Sequence, residues 1–174
     1  MLLAAAVAAM AFGGSAAAET AYDFTFPGIT GQPLALSAFA GQPILITNTA
    51  SRCGYTYQYE GLQEVWDRYR DRGLVVIGVP SNDFHQELAS EDEVRRFCEV
   101  NFDIDFPMTA ITHVAGSEAH PFFRWIEAEG GTQPTWNFKE YLIGPDGHLA
   151  AEFTTRTEPT DAEVIAAIER TLGP

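Results

Sequence analysis

Cys53 lies in a loop that the sequence places between a strand and a helix. The residues from Ile44 onward are apolar, and apolar side chains recur at helical spacing from about Tyr57. In an open α/β fold such a loop lies at the carboxyl end of the sheet, where active sites form. A nearby helix N-terminus and the adjacent Arg52 both favour a thiolate, so the pattern predicts a reactive thiol. The alternative is a small buried cysteine that only packs.

The only other cysteine is Cys98, 45 residues further along the chain. In an exported protein two cysteines could form one structural disulfide. A domain of this length does not need such a cross-link, however, because its hydrophobic core is large enough to stabilise it. The alternative is a pair that cycles between dithiol and disulfide, and the cysteine count leaves both open.

The first residues differ from the rest of the chain. Residues 2–12 are almost all apolar, and Ala16–Ala18 has the small-residue pattern of a cleavage site. We predict a secretory signal peptide over residues 1–18 and one domain over residues 19–174. The apolar run is short for a membrane span, and an uncleaved anchor is the alternative. We expect an exported protein, located in the periplasm, without a membrane span in the mature chain.

The charge and the histidines argue against several classes of partner. Ten Lys and Arg oppose 24 Asp and Glu, and the net charge of -14 would repel nucleic acid. Four histidines show no metal-ligand spacing with either cysteine: His85, His113, His120 and His148. No glycine-rich nucleotide fingerprint is present. We therefore expect no metal and no bound cofactor.

The first half of the chain predicts a β-hairpin followed by a strand–helix–strand unit. Alternating residues and turn signals give the hairpin, and a buried-type apolar run gives the second central strand. The predicted elements are hairpin strands at 22–26 and 34–36, a strand at 44–47, a helix at 57–72 ended by Gly73, and a strand at 74–79. A connection of this kind between parallel strands is right-handed.

The second half predicts three helices and another hairpin. Two Ser/Thr-x-x-Glu patterns indicate capping boxes: Ser90 with Glu93, and Thr160 with Glu163. A further helix begins at His120, and residues 141–143 and 148–153 flank a turn. The predicted class is α/β, and the order of elements resembles a thioredoxin-like fold. Such a fold has a central mixed sheet flanked by helices, here with an N-terminal β-hairpin.

Three motifs resemble those of the glutathione peroxidase family. The first is Asn-x-Ala-Ser-x-Cys-Gly around Cys53, the second is the segment 80–87, and the third is Trp136-Asn137-Phe138. They occur in family order and at family spacing, and the resemblance covers nearly all of residues 20–172. It implies a peroxidase without a prosthetic group that reduces hydrogen peroxide or organic hydroperoxides.

The resemblance also implies the site. Its members are Cys53, which would attack the peroxide and become a sulfenic acid, and the donors Gln86, Trp136 and Asn137. The second motif departs from the family pattern: Ser81 replaces Cys, Asp83 replaces Gln, and one residue is missing before Gln86. Tyr57 replaces a Pro in the first motif. The catalytic position of the family holds cysteine or selenocysteine, and the cysteine found here implies slower turnover of peroxide.

Cys98 matches the resolving cysteine of the cysteine-containing, monomeric, thioredoxin-dependent branch of the family. A resolving cysteine attacks the sulfenic acid and forms a disulfide; the alternative is a buried helix residue. The short segment between Trp125 and Trp136 lacks the insertion that tetrameric members use, which implies a monomer. The reductant, either glutathione or a thioredoxin-like protein, is left open, and so is the preferred peroxide.

Two other functions use similar residues. A dithiol–disulfide oxidoreductase needs Cys-x-x-Cys, but the chain has Cys53-Gly54-Tyr55-Thr56. A peroxide sensor or redox relay, passing a disulfide to a partner protein, would use the same cysteines as the peroxidase. Turnover with excess reductant distinguishes them, because an enzyme turns over many times and a sensor stalls.

Overall fold

The structure, a computed structural model, describes residues 19–173. The predicted signal peptide lies outside the described residues. Within them, no helix combines the length and apolar character that a bilayer crossing requires.

A four-stranded mixed sheet forms the centre of the fold, with strand order β4-β3-β5-β6. The strands are β3 (Ile44–Thr49), β4 (Val75–Pro80), β5 (Glu140–Ile143) and β6 (Leu149–Phe153). β3 runs parallel to β4 and antiparallel to β5. A separate hairpin of β1 (Thr25–Pro27) and β2 (Pro33–Ala35) precedes them. The predicted mixed sheet and N-terminal hairpin are confirmed.

In the described part of the chain, four α-helices cover the sheet: α1 (Gln58–Tyr69), α2 (Glu91–Phe102), α3 (Pro121–Ala128) and α4 (Ala162–Leu172). Side chains alternate along β3, so that Leu45 packs in a core with α1, α2 and α4, while Ile44 and Ile46 pack with the hairpin and α3. This alternation is the period of two that a strand imposes. It places helices on both faces of the sheet.

The strand–helix–strand unit forms as the sequence predicts. After α1 a short 3₁₀ turn, Arg70–Arg72, leads to Gly73, whose φ of 99° reverses the chain as glycine readily does. All six residues of β4 are buried although it is an edge strand of the sheet. The reason is that Gly78 exchanges backbone hydrogen bonds with Pro107 and Thr109, which covers the edge.

Three local predictions need correction. Tyr22 lies in a 3₁₀ turn, Ala21–Asp23, and the strand begins only at Thr25. The capping box at Ser90 is half formed. The Ser90 hydroxyl oxygen accepts the Glu93 N–H at 3.4 Å. The Glu93 carboxylate, however, accepts a hydrogen bond from the Ser90 hydroxyl and not from the Ser90 backbone N–H. The capping box at Thr160 is wrong, since Asp161 is the N-cap of α4.

Candidate active site

Three loops meet at the carboxyl end of β3. Asn48, near the end of this strand, fixes the loop before β5. Its side-chain amide donates to the carbonyl of Trp136 at 3.0 Å, and its side-chain oxygen accepts the Lys139 N–H at 3.0 Å. Asn48 is fully buried. One buried side chain therefore sets the height of the Trp136 loop above the sheet.

Hydrogen bonds also fix the loop after β4 to the cysteine loop. The backbone N–H of Arg52 donates to the carbonyl of Gln86 at 2.8 Å. One residue earlier, the Ser51 N–H donates to Oε1 of Glu87 at 3.0 Å. The same oxygen accepts the Leu88 N–H at 2.8 Å. These bonds place Gln86 beside the residue that precedes Cys53.

Cys53 lies in a tight turn just ahead of α1. Its carbonyl accepts the Thr56 N–H, and its Sγ accepts the Tyr55 N–H at 3.5 Å. Cys53 is 6% exposed and counts among the buried residues of the core.

Gln86 and Asn137 are brought together. Nδ2 of Asn137 donates to Oε1 of Gln86 at 2.9 Å. Since the oxygen of Gln86 is engaged, its own amide nitrogen stays available as a donor. Asn137 is fully buried, and within residues 19–173 its Oδ1 has no partner. In the loop that is one residue short, His85 takes a left-handed φ of 57°, and Gln86, the next residue, meets Asn137.

Trp136 lies at the rim of this cluster. Its side chain is 41% exposed, and its ring packs against Phe84 with centroids 5.6 Å apart. Tyr57, four residues after Cys53, is 47% exposed, and its ring centroid lies 6.2 Å from that of Tyr55. The cysteine loop and the loop before β5 each carry an exposed aromatic side chain.

Asp83 fixes the loop that carries Phe84. Its carboxylate accepts the backbone N–H groups of Val114 and Ala115, and it pairs with Nδ1 of His113 at 2.6 Å. Burial alone would raise the pKa of Asp83, but these bonds lower it below its usual value. The effect on His113 is the converse: its bond to Asp83 raises the pKa of the imidazole.

Glu87 is a buried acid beneath the cysteine loop. Burial raises the pKa of its carboxyl, against the lowering effect of the Ser51 and Leu88 bonds. Asn48 begins the first motif and Glu87 ends the second, but the motifs assign neither residue a role. Their neighbours in the motifs were the available signal; the bonds they make depend on the tertiary fold.

Cys98 lies on α2 in the same hydrophobic core as Cys53, and both cysteines are free thiols. Its side chain is 1% exposed. Burial raises the pKa of the Cys98 thiol to about 12, although the Tyr59 hydroxyl acts in the opposite direction. Burial and the raised pKa both disfavour the thiolate of Cys98 in this conformation. Within residues 19–173, no three His, Cys, Asp or Glu side chains group as metal ligands would.

Solved structures identify the fold. A thiol:disulfide interchange protein of Chlorobium tepidum TLS superimposes with a TM-score of 0.64 at 16% identity, covering 86% of this chain and 93% of that one. GPX1 of T. cruzi superimposes with a TM-score of 0.70 at 30% identity, covering 88% and 97%. The first likeness concerns the fold alone. The protein is thus a thioredoxin-like α/β protein with a cysteine site.

Sequence comparisons show to which family of thioredoxin-like proteins the chain belongs. The family model described as Glutathione peroxidase matches residues 21–127. A glutathione peroxidase of Lactococcus lactis is 37% identical over 147 residues, covering 82% of this chain and 94% of that protein. A hydroperoxy fatty acid reductase of Synechocystis is 36% identical over 165 residues, covering 88% and 96%. The chain belongs to the glutathione peroxidase family, and it is an oxidoreductase that reduces peroxides at the expense of a thiol.

Proposed function

We propose that Cys53 is the residue that reduces the peroxide. Its thiolate attacks the O–O bond, takes one oxygen as a sulfenic acid, and releases water or an alcohol once the leaving oxygen gains a proton. The observation that carries this assignment is the hydrogen bond between Gln86 and Asn137 in the loops around the cysteine. It orders two amides on loops of which one, through the carbonyl of Gln86, is bonded to the residue that precedes Cys53.

Gln86, Trp136 and Asn137 serve as neutral hydrogen-bond donors. Negative charge builds on the departing oxygen during the attack, and donors placed in advance stabilise it. Neutral donors suit this task because they need no proton transfer of their own. The bond from Asn137 holds the Gln86 amide so that its nitrogen, not its oxygen, faces away from Asn137.

Cys98 resolves the sulfenic acid. Its sulfur attacks Sγ of Cys53, the S–O bond breaks, and the hydroxyl leaves as water with the proton of the Cys98 thiol. The product is a Cys53–Cys98 disulfide, which a thiol reductant returns to two thiols. Because Cys98 is buried and its pKa is raised, α2 must open locally before this step.

The reductant is a thioredoxin-like protein or glutathione, and no prosthetic group takes part. The chain is exported, its residues 1–18 are removed as a signal peptide, and the mature protein acts as a monomer in the periplasm. The peroxide is hydrogen peroxide or an organic hydroperoxide; a relative named for hydroperoxy fatty acids supports the second.

The test is peroxide consumption by the purified protein with glutathione and with a thioredoxin system in turn, each in excess. Many turnovers with one of them support the enzyme. A single turnover with both would instead indicate a peroxide sensor that needs a specific partner. N-terminal sequencing of protein recovered from a periplasmic fraction tests export, and a first residue of Glu19 is expected.

A further inference from the structure

Glu87 has one carboxylate oxygen that the proposed function leaves unused. Its Oε1 accepts the backbone N–H groups of Ser51 and Leu88 at 3.0 and 2.8 Å, and the first of these bonds reaches the cysteine loop. Glu87 is 6% exposed, and within the described part of the chain its Oε2 has no hydrogen-bond partner. Since most buried polar atoms of folded proteins are hydrogen-bonded, a free carboxylate oxygen is a candidate for a chemical role.

The side chain of Tyr59 packs against the helix that carries Cys98. Tyr59 is fully buried in α1, and the centroid of its ring lies 5.3 Å from that of Phe102 in α2. Cys98 is four residues before Phe102, so both side chains lie on the same face of α2. The Tyr59 hydroxyl faces the Cys98 thiol and the Thr49 hydroxyl, but among residues 19–173 it makes no hydrogen bond of good geometry.

The carboxylate of Glu87 acts on both of these groups. Burial, and after it the charges of Cys98 and Glu87, raise the pKa of Tyr59. Burial also raises the pKa of Cys98 to about 12; the Tyr59 hydroxyl lowers it, and the carboxylates of Glu87 and Glu99 raise it. The Cys98 thiol therefore keeps its proton at neutral pH, and an attack by its sulfur needs an acceptor for that proton.

We propose that Glu87 accepts the proton of the Cys98 thiol in the resolving step, and that the Tyr59 hydroxyl conveys it. The S–H bond breaks as the Cys98 sulfur attacks Sγ of Cys53, the S–O bond breaks, and the leaving hydroxide takes up the transferred proton as water. Tyr59 belongs to α1 and Glu87 is bonded to the cysteine loop, so both stay with Cys53 when α2 opens. The inference rests on the proposed function, because it concerns the step in which Cys98 resolves the sulfenic acid.

The experiment measures the resolving step by itself. The reduced protein is mixed with hydrogen peroxide at a concentration that makes oxidation of Cys53 faster than formation of the disulfide. Samples are stopped in acid at successive times, and mass spectrometry quantifies the Cys53 sulfenic acid and the Cys53–Cys98 disulfide. The first-order rate constant for conversion of one into the other is determined from about pH 5 to about pH 8.

Glu87→Gln should slow this step about 10²-fold, at the lower end of the usual effect of a general base. Its amide oxygen can still accept the N–H groups of Ser51 and Leu88, so the loop is retained. In the parent the rate constant should rise with pH as Glu87 ionises. This rise should lie above pH 4.5, because burial raises the pKa of Glu87 against its hydrogen bonds and the charge of Arg52. Glu87→Gln should show no such rise.

Tyr59→Phe tests the second half of the proposal. The substitution removes the hydroxyl and keeps the ring that packs against Phe102. It should slow the resolving step as well, because the proton of Cys98 then lacks the group that conveys it. Circular dichroism checks that each variant is folded, and Tyr59→Phe decides the proposal if Glu87→Gln is not.

Glu99→Gln is the matched control. Glu99 is the other carboxylate that raises the pKa of Cys98, and it is exposed on α2, where Arg95 donates to it. Removal of a nearby negative charge favours a thiolate, so a purely electrostatic effect would speed the step in both variants. A proton acceptor predicts the opposite for Glu87→Gln, and a rate constant within about twofold of the parent for the exposed Glu99→Gln.

Three results would overturn the inference: an equal or higher rate constant in Glu87→Gln, a parent-like rate constant in Tyr59→Phe, or a slower step in Glu87→Gln that keeps the parent's rise with pH. The proposed function survives each of them, since the disulfide still forms. If the parent forms no Cys53–Cys98 disulfide, the resolving role of Cys98 fails, and this inference fails with it.

Discussion

The side chain of Asn137 donates a 2.9 Å hydrogen bond to the side chain of Gln86, which lies 51 positions earlier in the sequence. The two residues belong to separate loops, one after β4 and one before β5. Asn137 is fully buried, so the bond forms away from most of the solvent. This bond makes one donor group out of residues from two sequence motifs.

Gln86→Ala should slow the oxidation of Cys53 by peroxide about 10²–10³-fold, the usual effect of removing one positioned donor in an enzyme site. The measurement is the single-turnover rate with hydrogen peroxide. Gln42→Ala is the control, because Gln42 is an exposed glutamine in a turn remote from the loops of the site. A parent-like rate in Gln86→Ala would remove Gln86 from the site.

Cys53→Ser should abolish peroxide reduction and leave the fold intact, because the hydroxyl of serine is a poor nucleophile toward peroxide in this neutral setting. Peroxide consumption and circular dichroism measure the two properties.

Cys98→Ser should still be oxidised at Cys53 in the first turnover but then stop at the sulfenic acid or over-oxidise. Full turnover of Cys98→Ser with glutathione would instead assign Cys98 to packing alone.

Opening of α2 should control the exposure of Cys98. Ser90→Ala removes the N-cap of this helix, and losing such a cap costs about 1 kcal/mol. Alkylation of Cys98, measured by mass spectrometry in a Cys53→Ser background, should accelerate about fivefold. Thr160→Ala is a matched control, since Thr160 is not the cap of α4. An unchanged alkylation rate in Ser90→Ala would show that Cys98 is exposed by some motion other than opening at the start of α2.

Glu140 should make the stability of the fold depend on pH. It is fully buried on β5, and within residues 19–173 neither of its oxygens has a hydrogen-bond partner. Burial, and next the Asp161 carboxylate, raise its pKa from 4.5 to about 8. The folded state therefore binds this proton more tightly than the unfolded state does.

The direction in which the stability of the fold changes with pH follows from proton linkage. The contribution of Glu140 is fully favourable below pH 4.5, and it is lost as the pH rises toward 8, by at most about 1.4 kcal/mol per pH unit. Glu140→Gln should be more stable than the parent at pH 9 and should lose this pH dependence. Urea unfolding at pH 5, 7 and 9 measures it, with the exposed Glu60→Gln as control. Parallel pH profiles for parent and Glu140→Gln would contradict the assignment.

Much of the fold was predictable because its signals are local. The apolar run of β4, the period of α1 and Gly73 each act within a few residues, and all three appear where the sequence predicts them. The start of α4 was not predictable in this way, since Thr160 and Asp161 are both good N-caps. Choosing between them depends on how the chain arrives from β6.

The candidate site likewise has residues that the sequence predicts and contacts that it does not. Cys53, Gln86, Trp136 and Asn137 follow from the motifs, and the structure brings Gln86 and Asn137 into contact. The bond of Asn48 to the Trp136 loop and that of Asp83 to residues 114 and 115 join segments distant in sequence. No local pattern encodes those partners, so only the tertiary structure reveals them.

The left-handed turn at His85 lies at an exposed position of the loop after β4. On one side Asn82 accepts the His85 N–H and the Glu87 N–H, and on the other Gln86 is bound to Arg52. Apart from the bond of the His85 N–H itself, these anchors are made by residues on either side of His85. Insertions at His85 would bulge outward into solvent without shifting Gln86, so this position is a suitable point for grafting a reporter peptide beside a working peroxide site.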